Sequence, residues 1–190
     1  MSDLLVLEIS LDNTEPLIWR KVVVPTTFTF YRLHHVIQIA MGWNNSHLFE
    51  FKVEDFTVGE IYEDLDENPS INAREITLQE VNLQIGDSLK YIYDFGDYWV
   101  HNIKVVDNQY NKPLKYLPYC VRGKLNSPPE DVGGIIGFYH FLEVMNNFRH
   151  KEFRQTIVWY GGYFDALKYS STKLNKKYME FEKYMERFES

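Results

Sequence analysis

Two short strings of this sequence concentrate side chains able to do chemistry. Asp94-Phe95-Gly96-Asp97-Tyr98-Trp99-Val100-His101 brings carboxylates and an imidazole together, and Ser127-Pro128-Pro129-Glu130-Asp131-Val132-Gly133-Gly134 adds two further carboxylates. Carboxylate oxygens and imidazole nitrogens ligate zinc, manganese or iron, and paired carboxylates serve as acid and base in hydrolysis. His47, after Trp43-Asn44-Asn45-Ser46, is the histidine freest to face a pocket, because it is expected in a loop. Each string also has a plainer reading. Gly96 and the aspartates suit a hairpin tip, where Gly relieves φ and Asp bonds the turn backbone. His101 on an apolar strand face is more often a core histidine than a ligand. Ser127 and Glu130 stand at capping-box spacing with Pro128 at the first helical position. Amides at Gly133-Gly134 would suit an anion at a helix start.

Other chemistries are excluded. Asp-Phe-Gly occurs in the kinase magnesium loop, but the Gly-rich loop, strand lysine and catalytic-loop set are missing. The acidic stretch 54–67 lacks calcium-loop spacing and reads as a solvated loop or edge. The single cysteine, Cys120, has no Cys-x-x-Cys partner and cannot close an intrachain disulfide. A Cys120 pairing with His47 or His101 is the one thiol chemistry left. G-x-S-x-G, Walker A, G-x-G-x-x-G and H-E-x-x-H are absent from the sequence.

The elements that must position these groups follow from periodicity. Leu5, Leu7, Ile9 and Leu11 alternate as a strand, and 17–24 forms a second, stopped by Pro25. Leu33, Val36, Ile37, Ala40 and Met41 make a helical stripe, with Thr29 as N-cap and Gly42 as C′ residue. One strand is expected near 48–56. Leu89, Tyr91 and Tyr93 alternate into a hairpin, and Trp99, His101, Ile103 and Val105 alternate out of it. A three-residue connection, Phe95-Gly96-Asp97, pairs Tyr93 with Trp99, Tyr91 with His101 and Leu89 with Ile103, which keeps the apolar set on one face. Residues 107–129 read as irregular. Ile135, Phe138, Tyr139, Leu142 and Met145 mark a second helix. Leu174, Tyr178, Phe181, Met185 and Phe188 form the seam of a third at about 171–188, docked on its own domain or on a second copy. The fold class expected is α+β: one domain over 1–190, an antiparallel or mixed sheet and three main helices.

Composition agrees with a globular chain: 45% apolar and 25% charged over 190 residues. Net charge is −7, which weighs against a general grip on nucleic acid, although residues 168–187 carry six Lys or Arg against three Glu. Asp3, Glu8, Asp12 and Glu15 interrupt any signal-like start, and no apolar run reaches the ~20 residues of a membrane helix. The expectation is a cytoplasmic protein with no membrane partner.

Several strings together resemble one family. They are Pro16-Leu17-Ile18-Trp19-Arg20, Met41-Gly42-Trp43 with His47-Leu48-Phe49-Glu50-Phe51, and Tyr93-Asp94-Phe95-Gly96-Asp97 with Trp99 and His101. Pro128-Pro129-Glu130-Asp131-Val132-Gly133-Gly134 completes the core, and Trp159, Phe164-Asp165 and Leu174-Asn175 fit its tail. This pattern resembles the plasmid pRiA4b ORF-3-like family, the insertion-element passenger proteins, over roughly residues 4–175. The resemblance implies a compact intracellular α+β domain associated with mobile elements, and no particular reaction. The chain departs from the pattern at Phe49, where some members read His-Leu-His, and at Ser127 and Val132, where many carry cysteines. These changes remove ligands that a shared zinc site would use.

The function expected is a non-enzymatic binding or accessory module, its acidic-aromatic groove receiving a protein or peptide. The pocket would be built from His47, Asp94, Asp97, Trp99, His101, Glu130 and Asp131. No cofactor is predicted by this reading. The alternative is a metal-dependent hydrolase or nuclease, a divalent ion being held among His47, Asp94, Asp97, His101 and Glu130, with Asp131 beside them.

Overall fold

The computed structural model describes residues 3–62 and 69–189. Its centre is one mixed sheet of eight strands in the order β5-β4-β3-β6-β7-β1-β2-β8. The strands are β1 (Leu4–Leu11), β2 (Ile18–Pro25), β3 (Phe49–Val53), β4 (Phe56–Gly59), β5 (Ile71–Asn72), β6 (Ser88–Tyr93), β7 (Trp99–Asp107) and β8 (Tyr119–Lys124). Neighbours pair antiparallel except β4 with β5, so the sheet is mixed and the class is α+β.

The alternating residues do what their period requires. Leu5, Leu7, Ile9 and Leu11 are buried, as are Leu89, Tyr91 and Tyr93 on β6 and Trp99, His101 and Ile103 on β7. The β6–β7 register pairs Tyr93 with Trp99, Tyr91 with His101 and Leu89 with Ile103, as expected. The loop is longer than expected, five residues (94–98) rather than three. Asp94 and Tyr98 take left-handed backbone at φ 57° and 56°, so neither continues a strand.

Helix α1 (Phe30–Met41) lies against the sheet, capped by Thr29 and closed by Gly42 in the left-handed region at φ 78°. It is enclosed almost all round, because the C-terminal segment covers its other side. Tyr178 donates to the Val36 carbonyl at 2.9 Å, and Phe28 stacks on Phe181 with ring centroids 5.5 Å apart. Tyr178, Phe181 and Met185 are buried there, each side chain worth about 1.5–3 kcal/mol on transfer from water. Thus the C-terminal seam packs on its own chain.

Four expectations require correction. The C-terminal segment is two helices, α5 (Ser171–Tyr178) and α6 (Phe181–Met185), separated by a turn in which Glu180 N–H bonds the Lys177 carbonyl. Breaking the helix there lets Phe181 reach Phe28 while Arg32 holds Glu182 and Glu189. The helices number more than three: α3 (Gly134–Met145) is the second one expected, whereas α2 (Leu78–Val81) and α4 (Phe153–Tyr160) were not foreseen. No residue of α4 is fully buried; its short stripe of Phe153, Ile157 and Tyr160 is only partly covered. The region 107–129 contains the edge strand β8, which buries Cys120. The single strand near 48–56 is a hairpin, β3 and β4, turning at Glu54 with φ 46°. Of the acidic stretch 54–67, β4 occupies 56–59 and Glu60 pairs with Arg74; Glu63, Asp64, Asp66 and Glu67 lie outside the described residues.

Candidate functional site

The loop carrying His47 is set by a closed ring of hydrogen bonds beneath it. Gln38 Nε2 donates to Tyr91 Oη at 3.0 Å, and Tyr91 donates to His34 Nδ1 at 2.8 Å. His34 Nε2 donates to Asn45 Oδ1, and the Asn45 amide returns to Gln38 Oε1 at 3.0 Å. An amide oxygen only accepts, so Nε2 is the protonated nitrogen of His34 and Nδ1 the acceptor. Burial pushes the His34 pKa well below its ordinary value, keeping the ring neutral, as this pattern requires. Asn45, at φ 57°, is thereby fixed in the left-handed conformation that turns the chain toward Ser46 and His47. No role was expected for His34, since nothing in a helical position marks a histidine as the support of a distant loop.

The hairpin tip is held from within. Asp94 Oδ1 accepts the amides of Gly96 at 2.9 Å and Asp97 at 3.3 Å. Asp97 Oδ2 reaches across to the Gly133 amide at 3.1 Å, and a Cβ on Gly134 would lie 2.5 Å from the Asp97 carbonyl oxygen. Glycine is therefore required where the two strings touch.

The Pro-Pro-Glu-Asp corner is fixed by three groups from elsewhere. Glu130 Oε1 accepts from Tyr93 Oη at 2.6 Å, and Oε2 accepts from the Asn44 amide and Nδ2 at 2.9 and 2.8 Å. Trp43 Nε1 donates to the Pro128 carbonyl at 2.9 Å, its ring stacked on Tyr93 at 5.0 Å. This displaces two earlier readings. Glu130 does not close a capping box, because its carboxylate is taken by Tyr93 and Asn44. The Gly133 amide is not open to an anion, because Asp97 occupies it.

The two strings and His47 therefore meet. His47 Nε2 lies 3.0 Å from Asp131 Oδ1 and 3.6 Å from Asp94 Oδ2. One ligand atom from each of His47, Asp94 and Asp131 falls within 4.8 Å of the others, spacing that suits a single cation between them. Asp131 is the most open, its side chain 69% exposed, whereas Asp94 is 11% exposed.

Beside this cluster runs a cleft of about 430 Å³, with Glu130 and Asp131 on one wall and Trp159 and Tyr160 of α4 on the other. Ser127 also lines it, and its Oγ accepts at 2.9 Å from the buried guanidinium of Arg20. Arg20 further donates to the carbonyls of Ala40, Trp19 and Lys124 and lies 4.1 Å over the Tyr169 ring. Among the described residues it has no carboxylate partner, so carbonyl dipoles, including that of Ala40 near the end of α1, balance its charge.

Trp99 and His101 do not belong to this pocket. Strand alternation turns both into the core, where each is fully buried. The ring nitrogens of His101 are shut off from solvent and make no well-aligned hydrogen bond, only looser approaches to the Tyr91 and Trp99 backbone, and desolvation lowers its pKa to about 3. His101 is thus a neutral packing residue against Trp43 and Tyr91 and cannot join Asp94 in holding an ion. Cys120 is buried too, its sulfur 3.0 Å from Tyr169 Oη and its pKa raised by burial, so no Cys–His nucleophile forms. Tyr93, Asn44 and Tyr160 were not anticipated, although Tyr93 and Asn44 lay in strings already singled out.

Among the described residues no helix is long and apolar enough to cross a membrane. A family model described as "Plasmid pRiA4b ORF-3-like protein" matches residues 3–173. The chain is 38% identical over 172 residues to an uncharacterized protein, y4hQ, of Sinorhizobium fredii (strain NBRC 101917 / NGR234), covering 90% of this chain and 88% of the relative. It also resembles the crystal structure of a protein of unknown function, MM3350, from Methanosarcina mazei Go1. There the TM-score is 0.78 at 28% identity, over 90% of this chain and 96% of the other.

Proposed function

The chain belongs to the plasmid pRiA4b ORF-3-like family, and we propose that this protein is a binding module whose acidic-aromatic cleft receives a peptide segment bearing a Lys or Arg. The observation that carries this reading is the division of labour among the carboxylates. Glu130 accepts three hydrogen bonds, while Asp94 Oδ1 and Asp97 Oδ2 accept backbone amides. These groups are spent on holding the walls rigid, which suits recognition better than proton transfer. Asp131 is left to face solvent at the rim. Lining the same cleft are Trp159, 50% exposed, and Tyr160, on a helix with no buried residue. A cationic side chain would meet Asp131 while its aliphatic stem lies on the indole. Selection from a randomised peptide library, followed by titration read through tryptophan fluorescence, tests it. Lys- or Arg-containing peptides should bind saturably, and both Asp131→Asn and Trp159→Ala should weaken them severalfold. Selected peptides lacking basic residues, or binding indifferent to both variants, would refute it.

A second reading rests on the spacing of His47, Asp94 and Asp131: a divalent cation held there would make the site metal-dependent. Metal analysis of protein purified without added metal addresses it. Stoichiometric zinc, manganese or iron that disappears in His47→Ala supports a metal site, and metal-free protein with no affinity for these ions removes it.

A further inference from the structure

We propose that a groove on the other side of Trp43, between the C-terminal end of α1 and the α5–α6 segment, binds single-stranded nucleic acid along its phosphodiester backbone. The groove encloses about 560 Å³ and is lined by four cations, Lys176, Lys177, Lys183 and Arg187, against one acid, Glu180. A chain of net charge −7 thus carries a local excess of about three positive charges.

Two of the three neighbouring acids are held away from the groove, the third being Glu186, exposed beside Arg187. Glu182 and Glu189 are bound by Arg32 on the opposite side of α6, at contacts that include 3.3 Å for Glu189. Among the described residues, none of the four groove cations lies within ion-pair distance of a carboxylate. All four are exposed. Mutual repulsion of such charges is relieved most directly by a polyanion.

The interior of the groove favours a single strand over other polyanions. Ile39, Trp43 and Tyr184 supply its apolar lining. Trp43 is buried with one face on Tyr93 and forms the floor, whereas Tyr184, half-buried and held by its hydroxyl 3.0 Å from His35 Nδ1, is the ring that stays partly open to the groove. A fixed, partly open aromatic ring beside a row of cations lets an unpaired base stack while phosphates are neutralised. A duplex keeps its bases stacked on one another, and an acidic peptide lacks a flat face for this ring.

Fluorescence anisotropy of a labelled oligothymidylate, measured against the whole protein over a salt series, tests the proposal. Binding at about 50 mM salt should weaken with a log–log slope of up to about −2.8, from roughly 0.7 per neutralised phosphate on a single strand. Lys176→Gln/Lys177→Gln should reduce that slope by about 1.4 and the low-salt affinity at least fivefold, and Lys183→Gln/Arg187→Gln should do likewise. Lys176→Arg/Lys177→Arg should restore both, separating charge from any effect on folding. The proposal fails if no saturable binding is seen, or if both Gln variants match the unaltered protein. It also fails if duplex DNA or polyglutamate of equal charge competes as well as the oligonucleotide, since the groove would then be a duplex or acidic-peptide surface.

Discussion

The phenol of Tyr93 donates to Glu130 at 2.6 Å and accepts the Ser46 amide at 2.9 Å, so one hydroxyl joins the His47 loop to the Pro-Pro-Glu-Asp corner. Tyr93 sits at the end of β6, where strand pairing with Trp99 and Phe49 fixes it. Burial and the Glu130 carboxylate push its pKa above the ordinary tyrosine range, so it stays a donor at any physiological pH. The rigidity of the sheet is passed to two loops through that atom.

Tyr93→Phe should therefore cost about 1–3 kcal/mol, because it leaves a carboxylate oxygen and an amide without a partner. Denaturant unfolding measures this. Glu130→Gln keeps one acceptor but sets its NH2 against either the phenol or the two Asn44 donors, so it should cost at least as much as Tyr93→Phe; a clearly smaller cost would show that the corner is held by other contacts.

Gly134→Ala should destabilise more than Gly42→Ala. Both glycines are left-handed, a conformation that costs a residue with a Cβ roughly 1–2 kcal/mol. Gly42 has open space around a new Cβ, whereas at Gly134 that atom would strike the Asp97 carbonyl oxygen at 2.5 Å. The two unfolding temperatures, compared in the same buffer, decide it: the Gly134 variant should melt lower, and it should also weaken peptide binding in the cleft.

Much of this arrangement could be read from residues alone. Alternation along β6 and β7 gives their pairing, because only that register puts Leu89, Tyr91, Tyr93, Trp99, His101 and Ile103 on one face. The meeting of the two strings was foreseeable from rigid turns rich in carboxylates, and His47 from its place in a loop. What escaped notice depends on distant groups or on weak signals. Glu130 has capping-box spacing, but a phenol and an asparagine from other elements outcompete the local turn for its carboxylate. His34 and Gln38 look like ordinary positions in α1 until Tyr91 and Asn45 close the ring. The apolar stripe of helix α4, Phe153, Ile157 and Tyr160, is short and blurred by the outward-facing Val158 and Trp159 beside it.

Acid should destabilise the fold through its buried histidines. His35 and His101 have pKa values lowered to about 3 from 6.5, chiefly by desolvation. The unfolded chain then takes up protons first. Their contribution is complete above pH 6.5 and is lost as pH falls from there toward 3, at about 1.4 kcal/mol per pH unit for each histidine. His101→Leu, of similar size and uncharged, should flatten the dependence of unfolding free energy on pH by about one proton across that window; an unchanged slope would mean that His101 accepts a proton in the folded state.

Arg20→Met should be among the most damaging single changes, costing about 3 kcal/mol or more. The guanidinium donates to three carbonyls and to Ser127, and its removal leaves those acceptors buried without it. Arg20→Lys should recover little, since a point charge cannot serve acceptors spread around a planar fork. Chemical denaturation of the two variants checks this, with near-complete recovery in the lysine variant counting against the fork.

The most direct test of the binding role is to map where a selected Lys- or Arg-containing peptide touches the protein, by amide and indole chemical shifts during titration. The cleft predicts shifts concentrated at Asn44, Glu130, Asp131 and the indole of Trp159, abolished together in Asp131→Asn/Trp159→Ala. Saturable shifts elsewhere on the surface, or a peptide-bound state that leaves Asp131 and Trp159 unmoved, would contradict it.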